Sequence, residues 1–495
     1  MVNILDTFKV QKVQVLENPF ESNNLYSRFY NGIKSGIISN DEQAIKYLYK
    51  DEIENNKNYA RLKHRFKRKM LDSLFLIDTN KPYYTDAQKA YYNCYKNLAR
   101  INILLAKGAK SSAIEICINT LRIALKFEIT EIASSVSKVL RRQYAISFGD
   151  KKKFEEYNQI YHEQQNLFEV ESKAEELFSA LILDIVGSIE QKKETQEKAR
   201  DYSKQLEKYK NKIFTQNFVF FSNYLELLGY ESANDYDKMI LVCNNALNIL
   251  TKKKFNLKVR IYTFLSRAFY ANLKLCRYSS VELLIESGNN AVDIGSINWF
   301  KFNELYFIYL MRIDQYSHAS EILEKIITHK RFKFQDNDTK EVWKLLEAYA
   351  FLLQDDQEEI GKFRVGKFIN DVPVFSKDKR GLNICIIIAQ ILILIKQEKY
   401  NQVIDKAAGL ERYNSRYLNM HNTYRVNCFI KMLLQVEKRS FHPIAIQRHT
   451  EKYMKKLQEV PLHKSEQPLH MEIVPYETLW QSMLKTLMRQ QKLEV

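Results

Sequence analysis

The chain has 495 residues, and its 76 Lys and Arg residues against 59 Asp and Glu residues give a net charge of +17. Gly, with 12 residues, and Pro, with 7, are both well below average usage. A chain so poor in turn-forming residues cannot build the many tight turns of an all-β fold, so long helices are expected.

The six cysteines stand singly, without a C-x-x-C motif or a Cys/His spacing typical of zinc sites. They are predicted to be small buried side chains in a reducing compartment. The first residues lack a signal-peptide apolar core, and the longest apolar run, 384–395, is too short to span a bilayer. We therefore expect a cytoplasmic protein without a metal or cofactor, in which 384–395 is a helix buried on all sides.

The positive charge has two interpretations. It favours a surface that attracts nucleic acid or acidic proteins. It is also typical of the biased composition, rich in Lys, Asn, Ile and Tyr, of bacterial chains from AT-rich genomes. The sequence leaves both open.

Residues 1–85 form an N-terminal helical segment in this interpretation. Asn40 and Asp41 are suited to cap a helix. The next helix, predicted over 59–77, has an apolar stripe and a separate basic surface made of Arg61, Lys63, Arg65, Lys67 and Arg68. These side chains are candidates for nucleic-acid phosphate contacts, although no helix-turn-helix motif accompanies them. A solvated helix face is the other interpretation.

Residues 86–430 contain an internal repeat. Aromatic residues that open a predicted second helix recur about 40 residues apart, or about 80 where one unit intervenes. These markers are Phe154, Tyr236, Tyr278, Tyr316 and Tyr400. The first predicted hairpin lies at 84–126. About eight hairpins with a period of about 41 residues then account for this region.

The clearest unit is 303–330, where two amphipathic helices meet at a tight turn. Tyr316 opens the second helix, and the small residue Ala319 follows three positions later. This pattern resembles the tetratricopeptide repeat (TPR) family. The unit departs from it at Phe307, where the family usually has Gly, and in its period, which exceeds about 34 residues and falls in the HEAT and armadillo range. An irregular helical bundle is the competing interpretation.

In the TPR family a concave groove is lined by the first helices. The resemblance therefore implies six groove residues here: Tyr270, Lys274, Lys301, Glu304, Ile308 and Arg312. Their mixture of basic and aromatic side chains favours an acidic peptide or a chain end as partner.

The segment 362–384 interrupts the repeat, because Pro373 cannot continue a helix. This insertion is a candidate for function, with Asn370, Lys377, Asp378, Lys379 and Arg380 as its polar residues. They are also the best cluster for an enzyme, which the sequence favours least. The G-x-x-x-x-G-K match at 361–367 lacks the following Ser or Thr and a preceding strand, so phosphate binding is not expected.

Residues 431–495 form the C-terminal part. Three prolines predict an irregular connector at 459–475, and an amphipathic helix at 476–492 is expected to cap the last repeat.

Together these patterns predict an all-α, superhelical solenoid of antiparallel helix pairs. The leading hypothesis is a non-enzymatic scaffold that binds a protein or peptide in its groove. The alternative is a nucleic-acid-binding regulator that uses the basic N-terminal helix, with the repeats as a sensing or dimerisation body.

Overall fold

The structure, a computed structural model, describes residues 25–49, 56–81, 84–187, 192–353, 366–368, 382–417 and 423–493. These residues form helices and no β-strand, which confirms the predicted all-α class. The chain divides into two compact units. Unit 1 comprises Met1–Val170 with Lys254–Asn256, and unit 2 comprises Glu171–Lys253 with Leu257–Val495. The division predicted at residues 85 and 430 stays a prediction.

The described part of unit 1 consists of consecutive helices. They are α1 (Leu25–Lys34), α2 (Asp41–Tyr49), α3 (Asn56–Leu74), α4 (Asp86–Ala106), α5 (Lys110–Lys126), α6 (Thr130–Gln143) with the π-helical turn Tyr144–Phe148, and the first part of α7 (Lys151–Gly187).

The helices of unit 2 begin with the second part of α7. The others are α8 (Lys192–Lys210), α9 (Gln216–Ser232), α10 (Tyr236–Leu250), α11 (Lys258–Lys274), α12 (Tyr278–Ala291), α13 (Ile297–Arg312), α14 (Tyr316–Ile327), α15 (Asn337–Leu353), α16 (Leu382–Lys396), α17 (Tyr400–Tyr417), α18 (Tyr424–Lys438), α19 (Pro443–Glu459) and α20 (Tyr476–Leu493). Short 3₁₀ turns lie at Phe332–Phe334, Leu462–Lys464 and Leu469–Glu472.

Local capping explains where helices of unit 1 begin. The Asn40 side chain accepts a hydrogen bond of 2.9 Å from the Gln43 amide at the start of α2, as predicted. Thr85 and Gln88 form a reciprocal capping box at the start of α4, which satisfies amides that have no partner within the helix. Helices α4 and α5 pack on each other as the predicted hairpin.

One turn geometry recurs between consecutive helices. A residue with positive φ is followed by a residue whose amide donates to the carbonyl five positions earlier, as in a Schellman motif. The turns of this kind that are followed directly by the first residue of a helix are Gly108–Ala109, Glu128–Ile129, Asn234–Asp235, Cys276–Arg277, Asp314–Gln315 and Glu398–Lys399. In unit 2 the next residue is the first of a helix, and in four cases it is a tyrosine: Tyr236, Tyr278, Tyr316 and Tyr400.

The repeat inferred from the sequence is therefore present as consecutive packed helix pairs. In unit 2 the described pairs are α9 with α10, α11 with α12, α13 with α14, α16 with α17, and α18 with α19. Ala319 is fully buried three residues into α14, where its small side chain permits close approach. This arrangement is an α-solenoid architecture of helix pairs.

Helix α16 shows how unit 2 builds its core. All of 384–395 is buried, as predicted for this apolar run. Helices α15 and α17 cover part of its surface, and α20 with the turn Leu469–Glu472 covers another part. The C-terminal residues thus belong to the core of unit 2.

Candidate functional site

The candidate site lies on the first helices of the pairs in unit 2. We call the surface formed by α11, α13, α15, α16 and α18 the first-helix surface. We call residues 461–493 the C-terminal arm; it consists of two 3₁₀ turns and α20. The arm contacts this surface in two ways. Side chains of the first helices form hydrogen bonds with the arm, and α20 packs against several of these helices.

Lys274, at the end of α11, binds the arm through its main chain. Its Nζ donates to the Ser465 carbonyl at 2.9 Å and to the Gln467 carbonyl at 2.6 Å. The side chain is buried, with 5 % of its surface exposed. Its contacts with two carbonyls offset part of the cost of burying an ammonium group.

Arg312, at the end of α13, makes the same kind of contact. Its guanidinium donates to the Glu472 carbonyl at 2.6 Å and to the Ile473 carbonyl at 3.3 Å. A further bond of 3.1 Å reaches the Leu273 carbonyl at the end of α11. Cys385 of α16 adds a thiol contact of 3.0 Å with the His470 carbonyl. Side chains of three first helices therefore contact main-chain carbonyls of one irregular segment, 465–473, which includes the 3₁₀ turn Leu469–Glu472.

Glu304 contacts the arm through a side chain. Its carboxylate is hydrogen bonded to His470 Nε2 and lies 3.2 Å from Lys301 Nζ. Burial alone would raise the pKa of Glu304, but the hydrogen bond and charge of His470, together with Lys301, hold it below its ordinary value. Glu304 is therefore ionised and buried at neutral pH.

Arg425, near the start of α18, has the most extensive contacts with the arm. It is 1 % exposed and makes five hydrogen bonds, as many as its N–H groups. Nε and Nη2 bind the Glu472 carboxylate at 3.0 and 2.6 Å, and Nη2 also lies 2.7 Å from Glu477. Burial lowers the pKa of Arg425, but the two carboxylates outweigh it and the pKa is raised.

The Glu472 carboxylate also accepts two hydrogen bonds from within the arm. It accepts hydrogen bonds from Gln467 Nε2 at 2.5 Å and from the Tyr476 amide at 3.0 Å, besides those of Arg425. The Tyr476 ring stacks on Phe429 of α18, with centroids 4.4 Å apart. These contacts fix the first turn of α20.

Helix α20 is present where the sequence predicts the C-terminal helix. Its buried side chains are Tyr476, Leu479, Trp480, Met483, Leu484 and Leu487. It packs against α15, α16 and α18 as well as α19, so it covers first helices of successive pairs in addition to the last pair.

The six groove residues implied by the family resemblance are now placed. Lys274, Glu304, Ile308 and Arg312 are buried, and three of them contact the arm directly. Tyr270 is half-buried and Lys301 is exposed. Their role in binding a partner stays a prediction, since the surface they line holds the chain's own C-terminal arm.

Arg425 and Glu472 were not identified from the sequence. The available signal is a single Arg beside the buried apolar face of α18. A second signal is a Glu placed between two prolines, Pro468 and Pro475, just before an amphipathic helix.

The basic residues predicted on the N-terminal helix lie on α3 in unit 1. Arg61, Lys63, Arg65, Lys67 and Arg68 are all exposed. Lys63 lies 2.7 Å from Asp41, whereas Arg61, Arg65, Lys67 and Arg68 make no ion pair within the described ranges. The remaining predicted residues, Asn370, Lys377, Asp378, Lys379 and Arg380, lie outside the described residues.

The described residues contain no group of three or more His, Cys, Asp or Glu side chains placed to hold a metal ion. None of the described helices combines the length and the apolar composition that crossing a membrane requires.

Comparison of the chain with family models, with curated proteins and with solved structures gives no match in any of the three.

Proposed function

We propose that this chain is a non-enzymatic, TPR-like scaffold that binds a segment of a partner protein on the first-helix surface of unit 2. The tyrosines that begin the second helices α10, α12, α14 and α17, together with the small Ala319, support the TPR-like interpretation. The period of about 41 residues is then a lengthened form of that unit.

The observation that carries this proposal is how the C-terminal arm is held. Lys274 and Arg312 donate to main-chain carbonyls of residues 465–473. Every residue type offers such a carbonyl, so these contacts suit segments of different sequence. The arm thus occupies the place of a bound peptide, and a partner segment competes with it.

A chain cut after folding tests whether this surface takes a segment from solution. A site-specific protease sequence is inserted between the exposed residues His463 and Lys464, and the purified chain is then cut. A fluorescently labelled peptide of residues 464–495 is added, and its anisotropy is followed. We expect the labelled peptide to replace the resident arm, raising the anisotropy.

The uncut insertion chain is the matched control, because its arm stays tethered at high local concentration. It should bind the labelled peptide far more weakly than the cut chain. A cut chain that keeps its helical circular dichroism but never exchanges its arm would contradict the proposal.

Nucleic-acid binding by unit 1 is the second candidate function. It is favoured by one observation, the exposed Arg61, Arg65, Lys67 and Arg68 without ion-pair partners among the described residues. On this proposal, replacing Arg61, Arg65 and Arg68 by Ser weakens nucleic-acid binding and reduces its salt slope by about three.

The control for that experiment removes the same charge elsewhere. Arg200, Lys204 and Lys208 are exposed on α8, and their replacement by Ser should leave the salt slope unchanged. Equal losses in both triple variants would show that only net charge matters.

A further inference from the structure

The carboxylate of Glu472 shows which partner segments the first-helix surface would select, an inference that rests on the function proposed above. We infer that the surface binds segments with an acidic residue at the position of Glu472 and an aromatic residue four positions later. Arg425 is the residue that recognises the acid, and Phe429 contacts the aromatic ring.

Arg425 is placed to recognise a carboxylate specifically. Its Nε and Nη2 face the two oxygens of Glu472 in the two-bonded geometry that suits a planar guanidinium. Its Nη1 is committed to the Leu457 and Val460 carbonyls at the end of α19, which holds the guanidinium in one orientation. Residues that precede the arm therefore hold Arg425 in the orientation that binds the carboxylate.

An uncharged residue cannot replace the acid at this position without a large loss. Arg425 and Glu472 are each 1 % exposed, so water cannot take over the role of the carboxylate. A Gln would keep the shape but supply one oxygen instead of two and no charge. Glu477, which is 28 % exposed, would be the remaining anion near Arg425.

This pair gives the surface a preference for an acid at one position, in addition to the side-chain contact of Glu304 with His470. Lys274, Arg312 and Cys385 contact main-chain carbonyls, which do not depend on the side chain present. The aromatic requirement follows from Tyr476, whose ring stacks on Phe429 at an angle of 13° and whose amide donates to Glu472. The spacing of four residues brings the carboxylate of Glu472, in the preceding 3₁₀ turn, to the amide of Tyr476 at the start of α20.

The experiment uses the cut chain described above and compares unlabelled 464–495 peptides as competitors. Against the native peptide, we expect the Glu472→Gln peptide to compete about 100-fold more weakly, since it leaves a buried cation without its partner. The control is Glu466→Gln, which removes the same charge from an exposed position and should compete within about twofold of the native peptide.

Two outcomes separate this inference from the proposed function. If no peptide exchanges, the first-helix surface does not take segments from solution and the proposed function fails. If the native and Glu472→Gln peptides exchange equally well, the proposed function stands and the selection of an acid is wrong.

A second variant distinguishes recognition by Arg425 from the helix-capping role of Glu472 within the peptide. In a cut chain carrying Arg425→Gln, the native and Glu472→Gln peptides should compete equally. If the native peptide still competes better than the Glu472→Gln peptide in that chain, the difference comes from the peptide's own helix start and the role of Arg425 is wrong.

A Tyr476→Ala peptide tests the aromatic requirement independently, and it does so even if the Arg425→Gln chain fails to fold. We expect this peptide to compete at least tenfold more weakly than the native peptide with the cut native chain.

Discussion

Arg425 determines the path of a segment that is distant in sequence. A buried guanidinium is tolerated only where an anion balances its charge and acceptors bind its N–H groups. Here the Glu472 carboxylate, 47 residues away in sequence, supplies the negative charge and two acceptor oxygens. Lys274 and Arg312 act in the same way on neighbouring carbonyls of the arm. Individual buried cations therefore hold the arm in one register on the first-helix surface.

Gly288 in α12 offers a test of close packing at the residue scale. A Cβ at this position would overlap the ring of Phe302 in α13, and both are fully buried. We expect Gly288→Ala to lower the free energy of unfolding by about 1–3 kcal/mol, through overpacking. Urea unfolding followed by circular dichroism measures this change.

The control for Gly288 is Gly409 in α17, where a Cβ would meet nothing within 4 Å. Gly409→Ala should raise the free energy of unfolding by up to about 1 kcal/mol, because Ala favours helix interiors. Stabilisation by both substitutions would disprove the close approach of α12 and α13.

Glu304 predicts a pH dependence of stability. The contacts with His470 and Lys301 outweigh burial and hold its pKa below the ordinary value of 4.5. A carboxyl whose pKa is lowered on folding contributes its full stabilisation above the unfolded pKa, and loses it as the pH falls through the folded pKa. We expect the free energy of unfolding to fall below pH 4.5, and to fall less steeply in Glu304→Gln.

Urea titrations between pH 3 and 7, followed by tryptophan fluorescence, measure this difference. The control is Glu321→Gln, which changes an exposed carboxyl on α14. The contribution assigned to Glu304 is wrong if its Gln variant and the native chain have parallel pH profiles.

At the scale of elements, the recurrent turn sets the repeat. Each turn satisfies carbonyls at the end of one helix and directs the next helix back along it. In most of these turns the residue with positive φ is not glycine: Glu128, Asn234, Cys276, Asp314 and Glu398. Each such non-glycine residue carries a conformational cost that packing of the helix pair offsets.

Glu398 between α16 and α17 tests that cost. It is exposed and has φ of 59°, so Glu398→Gly should raise the free energy of unfolding by about 0.5–1 kcal/mol. In contrast, Gln402→Gly inside α17 should lower it by about 1 kcal/mol. Thermal and urea unfolding of the two variants should therefore shift in opposite directions.

At the scale of the whole chain, unit 2 is completed by its last residues. The fully buried helix α16 is covered on one part of its surface by α20 and the turn at 469–472. Buried aromatic residues of α18 and α20 also pack together, with the Phe429 and Trp480 centroids 6.3 Å apart. The arm is thus both part of the core and, on the proposal above, the resident ligand of the first-helix surface.

Ending the chain after Val460 tests this dependence. Removing the arm exposes apolar side chains of α15, α16 and α18, each worth about 1.5–3 kcal/mol when buried. We expect a lower Tm and strong binding of a hydrophobic dye such as ANS. Adding the 464–495 peptide should reverse both, and a truncated chain with native Tm would show that the arm contributes little to the core.

The sequence alone determined the features that depend on neighbouring residues. The scarcity of Gly and Pro and the repeated amphipathic helix pairs predicted the all-α class. The recurring tyrosines predicted the first residues of α10, α12, α14 and α17, because helix starts are set by local capping and turn chemistry. The long apolar run also predicted the complete burial of α16.

Tertiary structure alone decided what the first-helix surface contacts. Lys274 and Arg312 carry charges that usually face solvent, and the family resemblance implied that they line an open groove. Their burial depends on carbonyls 160 or more residues away, beyond the reach of any periodic pattern. The Arg425–Glu472 pair, 47 residues apart in sequence, was also not predicted, since a buried charge is identified only when its partner and its surroundings are known.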